Sequence, residues 1–118
     1  MAVNTPSIPL NTFRLITGSL DQGSNTVYQE DLDVASIVLS CAVTNKGDDL
    51  KHLTVEITKS GSSTPFALVF SASLPSHESF DPFPGKVVLE RNDKLTMSTD
   101  ATTGDFDVIL SVLENANQ

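Results

Sequence analysis

The side chains best suited to proton transfer, metal binding or nucleophilic attack are two histidines, His52 and His77, and one cysteine, Cys41. A zinc site needs several such ligands at compatible spacing, and these three stand apart in the chain. His77 is followed by Glu78-Ser79-Phe80-Asp81, without the second histidine of the zinc-protease helix. Serines are plentiful, but none lies in the Gly-x-Ser-x-Gly spacing of a nucleophile elbow. Lys59-Ser60-Gly61 lacks the glycine-rich lead of a phosphate loop. Glu30-Asp31 with Asp33, Asp48-Asp49, and Asp105 with Asp107 offer the hard oxygens that calcium takes. None has the alternating pattern with its closing glutamate, so solvated turn residues are expected; Asp105 and Asp107, after Gly104, would be the first choice for calcium. The expectation is therefore no catalytic residue, no cofactor and no metal.

The elements that carry these residues read as short strands. Asn11 to Ser19 alternates, with Phe13 and Leu15 on one face and Arg14 and Ile16 on the other. Thr26 to Gln29 is a short second strand. Val34 to Thr44 is the strongest of the first half: Ile37, Leu39, Cys41 and Val43 are expected in the core, with Ser36, Val38, Ser40 and Ala42 on a small, uncharged second face. Asn45-Lys46-Gly47-Asp48-Asp49 reads as a hairpin into Lys51 to Lys59, where Leu53, Val55 and Ile57 point inward.

Phe66 to Ser73 follows a Gly/Ser loop, with Phe66, Leu68 and Phe70 sharing a face. Pro75, Pro82 and Pro84 exclude a central strand over most of Leu74 to Phe83. There Phe80 and Phe83 either plug one end of the core or stand out as a contact knob. Lys86 to Glu90, Lys94 to Ser98 and Phe106 to Leu113 complete the set. The last strand lines one face with Phe106, Val108, Leu110 and Val112, yet it places Ile109 and Leu113 on the other. A second face that is partly apolar needs cover, from an N-terminal arm or from another subunit.

About eight short strands, frequent turns and no amphipathic helix predict an all-β antiparallel sandwich, jelly-roll or immunoglobulin-like. Residues 1–10, interrupted by Pro6 and Pro9, form either a frayed terminus or an extended arm anchored by Ile8 and Leu10. The sandwich is expected over 11–114, with a polar tail at 115–118. At 118 residues the chain is one domain. A net charge of −8 with seven dispersed basic residues argues against a nucleic-acid surface. No basic n-region, apolar h-region or membrane-length apolar run is present. The lone Cys41 permits no intrachain disulfide and reads as a small buried hydrophobe.

Three runs carry a resemblance. They are Gly85-Lys86-Val87-Val88-Leu89-Glu90, Asp93-Lys94-Leu95-Thr96 and Asp107-Val108-Ile109-Leu110-Ser111-Val112-Leu113-Glu114. With Thr26-Val27-Tyr28, Ala35 to Ser40, Asn45 with Gly47, and the opening Pro9-Leu10-Asn11-Thr12-Phe13, they resemble small virion structural proteins of tailed bacteriophages, those of marine and cyanobacterial phages above all. The resemblance implies a non-enzymatic particle component, assembled in the host bacterial cytoplasm and resident on the virion. It would be a capsid decoration subunit bound to the major capsid protein or other virion proteins, and a homo-oligomer. A tail, neck or fibre-associated subunit, or a receptor- or glycan-binding module, is the alternative. Ile8, Leu10, Phe80, Phe83, Ile109 and Leu113 are the candidate partner contacts, with no nucleic acid and no membrane involved.

Overall fold

Alternating apolar residues and closely spaced turn residues give the chain strands, and two sheets bury their shared faces. The computed structural model describes residues 11–29 and 35–115. Among these the strands are β1 (Asn11–Ser19), β2 (Gly23–Gln29), β3 (Ala35–Asn45), β4 (Lys51–Thr58), β5 (Pro65–Leu74), β6 (Ser79–Phe80), β7 (Val87–Leu89), β8 (Lys94–Thr99) and β9 (Phe106–Asn115). One antiparallel sheet has the order β1-β9-β3-β6, with β7 also on β3; the other has the order β2-β8-β4-β5. The chain changes sheet at every connection except β4 to β5 and β6 to β7. With β6 and β7 taken as one interrupted strand, this is the order of an eight-stranded jelly roll. The prolines around Ser79–Phe80 explain why that strand is so broken.

The core between the sheets holds Val38, Val43, Leu53, Val55, Leu95, Met97, Phe106, Leu110 and Val112, all fully buried. Two sequence expectations fail here. The turn after β3 is not a hairpin, because β3 and β4 belong to opposite sheets. It is a corner, held by the buried Asn45: its Nδ2 donates to the carbonyls of Asp49 and Leu74, and its Oδ1 accepts from the Gly47 N–H. A Cβ at Gly47 would stand 2.6 Å from Asp105 Oδ2, so any larger residue there would make the Asp105 side chain move. Turn residues satisfy a corner as readily as a hairpin, so composition could not separate them.

The second failure is the inward face of β3. Its register against β9 shifts between Val38 and Ser40. Such a bulge inserts one residue and flips the alternation. Ser36 and Val38 before it, and Cys41 and Val43 after it, face the core, while Ile37 and Leu39 are only half-buried. Similar shifts split β5, where Leu68 and Val69 pack on the core but Phe66 and Phe70 are exposed. In β1 it is Ile16 that packs inward; Phe13 and Leu15 point out. β9 runs on to Asn115, one residue beyond the expected domain end.

Candidate functional site

The outer face of the first sheet is the most unusual surface of the molecule, and strand register builds it. Directly opposed residues of an antiparallel pair project to the same side. Phe13 opposes Leu113, Leu113 opposes Ile37, and Ile37 opposes Val88. Four apolar side chains thus form one row across β1, β9, β3 and β7. A parallel row sets Thr17 against Ile109 and Ile109 against Ala42. Leu15, opposite Ser111, lies between the rows on β1. Phe13 is 72% exposed, Leu15 67%, Val88 59% and Ile109 48%. Isolated exposed hydrophobics are ordinary, but a contiguous set on one sheet is the kind of surface that partners bury.

Polar groups bound this face. At one end Asp107 accepts a 2.6 Å hydrogen bond from Ser19 Oγ and faces Lys46 Nζ at 3.3 Å. The Ser19 bond, with that from Lys46, holds the Asp107 carboxyl below its ordinary range despite some desolvation. On the inner side of the same sheet Arg14 Nη1 donates to Glu114 Oε2 at 2.8 Å. Glu114 also accepts from the Tyr28 hydroxyl, which contacts the buried Ser36 hydroxyl at 2.8 Å. Between the two apolar rows lie Leu15, Ser111 and Ser40, and the charged Asp107 and Lys46 sit at one end of the face.

The residues capable of chemistry do not converge. His52 Nδ1 lies 3.0 Å from Asp100 Oδ2, and the His52 backbone N–H donates to Asp100 Oδ1, so the pair ties the start of β4 to the end of β8. These bonds, the backbone one foremost, hold the Asp100 carboxyl below its usual range. His77 is exposed near Asp48. Cys41 is buried; desolvation, and then the neighbouring Asp81 charge, push its thiol up to about 12, so thiolate chemistry is suppressed at neutral pH. Among the described residues no group of three or more His, Cys, Asp or Glu is placed to hold a metal ion. No helix among them is long and apolar enough to cross a membrane.

Of the expected contacts, Ile109 and Leu113 lie together on the apolar outer face. Phe83 does not: it is 8% exposed and belongs to the core, with its N–H held by Asp81, so it is withdrawn as a contact. Phe80 opposes the buried Val43 and packs partly on the core, which is the plug that the proline-bounded segment allowed. Ile8 and Leu10, with the arm over 1–10, lie outside the described residues, as do the acidic cluster Glu30, Asp31 and Asp33 and residues 116–118. Sequence reasoning missed Phe13, Leu15, Ile37 and Val88. Their signal was indirect: once β9 is known to pair with both β1 and β3, and β3 with β7, the outward phase of Ile109 and Leu113 fixes theirs.

No protein-family model matches the chain, and no curated protein matches it. Among solved structures, the chain is similar to one from a study of Bacillus endospore appendages, described as a family of disulfide-linked pili. That match has a TM-score of 0.54 at 12% identity, covering 98% of this chain and 100% of the other. It is also similar to a chain in the acid-stable capsid of Helicobacter pylori bacteriophage KHP30. There the TM-score is 0.53 at 10% identity, over 93% of this chain and 90% of the other. At such identities the likeness is one of fold.

Proposed function

We propose that this chain is a non-enzymatic structural component of a phage particle, specifically a decoration subunit that binds the outside of the head and clamps neighbouring shell proteins. The observation that carries this reading is the apolar row Phe13, Leu113, Ile37 and Val88 on the outer face of the first sheet. Burying it on a partner stabilises the contact by about 25 cal/mol per Å² of apolar area, which offsets the entropy lost on docking. Residues 1–10 extend that contact through Ile8 and Leu10. The net charge of −8 disfavours contact with packaged DNA.

The sequence resemblance to virion proteins and the fold shared with a phage capsid chain support this reading. The pilus chain belongs to a disulfide-linked family by its description, whereas here the one cysteine is buried with its thiol pushed up to about 12. Association of this chain is accordingly noncovalent. The test is binding of the purified protein to undecorated heads, followed by electron microscopy. Symmetric density on the head exterior is expected, weakened by deletion of residues 1–10 and abolished by Leu113→Asp. Absence from the head, or binding indifferent to Leu113→Asp, would overturn the proposal.

A further inference from the structure

We infer that β1 is a docking edge for a second copy of this chain, pairing antiparallel with its counterpart about a two-fold axis at Leu15. The inference does not rest on the phage reading and holds for any assembly. It comes from comparing the free sheet edges. A sheet edge presents unpaired N–H and C=O groups, and natural proteins block it with short strands, bulges, prolines or lysines. β6 and β7 are two and three residues long. β2 carries a register shift between Thr26 and Tyr28. β5 starts at Pro65, shifts register twice, and holds Ser71 at a φ of 54°. β1 has no proline, bulge or lysine, and its one charge, the inward-pointing Arg14, is paired with Glu114 of β9 within the same sheet. Its nine residues pair with β9 without interruption from Asn11 to Ser19, and among the described residues no strand lies on its other side.

The occupant follows from the sequence. The N-terminal arm makes a poor ladder partner, because Pro6 and Pro9 are an odd number of residues apart. In an extended segment their missing N–H groups face opposite sides, so one proline meets the ladder whichever side is used. A second β1 has no proline, no lysine and no acid. The register centred on Leu15, the middle of the strand, keeps every residue of β1 in the ladder. A shift to Arg14 would set like charges directly opposite, which is unfavourable.

On the outer face this register puts Leu15 against Leu15 of the second copy and Phe13 against Thr17, so the two apolar faces join. On the inner side Arg14 meets Ile16, whose apolar surface its methylene stem can cover. The pairing also closes a groove of about 180 Å³ that opens between the β1 and β2 edges, lined by Ile16, Leu20, Val27 and Val108 among others.

The test is sedimentation of the full chain together with cysteine cross-linking. Dimers are expected. Under mild oxidation Leu15→Cys should give a disulfide-linked dimer, and a mixture of Phe13→Cys and Thr17→Cys chains a mixed one. Cys41, being buried, should contribute none. Leu15→Lys should weaken the dimer by about a hundredfold, since like charges would meet at the axis, while its far-UV circular dichroism stays unchanged. A protein that remains monomeric up to the millimolar range overturns the inference. So does a dimer that cross-links through Leu113→Cys or Arg14→Cys and not through Leu15→Cys.

Discussion

The outer faces of the two sheets are made by the same strand grammar and come out opposite in character. On the second sheet, Thr54 opposes Ser98, Glu56 opposes Thr96, and Thr58 opposes Lys94, so its outer face is polar and hydrated. Its exposed aromatics, Phe66 and Phe70, sit on the edge strand β5 where register shifts break the alternation. On the first sheet the corresponding positions carry Phe13, Leu113, Ile37 and Val88 in one unbroken row. Exposure of hydrophobic residues alone does not mark a binding surface. Among the described residues the continuous apolar row across strands is on the outer face of the first sheet.

The β3 bulge helps to make that difference, and breaking it should give the largest effect. Val38 is fully buried while its neighbour Ile37 faces out. Val38→Asp would bury an unpaired carboxylate in the core and should cost more than about 4 kcal/mol, enough to unfold many domains of this size. Ile37→Asp should leave stability within about 1 kcal/mol and instead weaken partner binding. Urea unfolding of both variants decides it. A reversal, with Ile37→Asp the more destabilising, would mean that β3 alternates without interruption and that the apolar row does not exist.

Association is the next largest effect. Ile109→Asp places a charge in the middle of the first outer face and should weaken docking by about 2 kcal/mol, roughly thirtyfold. Phe70→Asp, at a residue even more exposed, should leave docking unchanged. Titration against purified particles or an immobilised copy of the chain reads both. Loss of binding in the Phe70 variant alone would transfer the functional face to β5.

How much of this was legible in the sequence depends on whether one strand phase dominated. Leu53, Val55 and Ile57 alternate with polar residues, so the inward face of β4 was readable without its partners. In Ala35 to Val43 both phases are apolar or small, and nothing local says where one residue is skipped. Ile109 and Leu113 were visible as surplus hydrophobics on β9, yet the rest of their row lies on strands whose pairing is nonlocal. The corner at Asn45 was unreadable for a different reason, since its role depends on the Leu74 carbonyl, far along the chain.

A smaller effect concerns the turn between β7 and β8, at one end of the polar sheet. Asp93 is almost wholly buried, accepting from Lys59 Nζ and from the backbone N–H groups of Ser60 and Glu90. Burial pushes its carboxyl up, but these bonds outweigh it and hold it below the usual carboxylate range. A carboxyl depressed in the folded state contributes stability that is present above the unfolded value near pH 3.9 and is lost as pH falls through the folded one. Asp93, Asp100 and Asp107 all have this sign. Stability should therefore be level from pH 7 to about 5 and fall below about pH 4. Asp93→Asn should cost about 2 kcal/mol at pH 7 and flatten that acid limb. An acid limb unchanged in the variant would count against the assignment.

The smallest effect sharpens the comparison at the β5 edge. Ser71 holds a φ of 54°, a left-handed conformation that costs a side-chain-bearing residue about 1–2 kcal/mol, and its N–H donates to Thr54 Oγ1. Glycine removes that strain but raises the entropy of the unfolded chain by about 0.5–1 kcal/mol. Ser71→Gly should thus stabilise the domain by a few tenths to about 1 kcal/mol, while the bond to Thr54 and the bulge persist. Thermal unfolding measures the gain, and sedimentation measures whether the edge stays blocked. If relieving the strain instead produced new β5-mediated oligomers, the strained backbone itself would be what keeps this edge closed. The contrast with β1 would then rest on a single residue's geometry rather than on the register shifts of the whole strand.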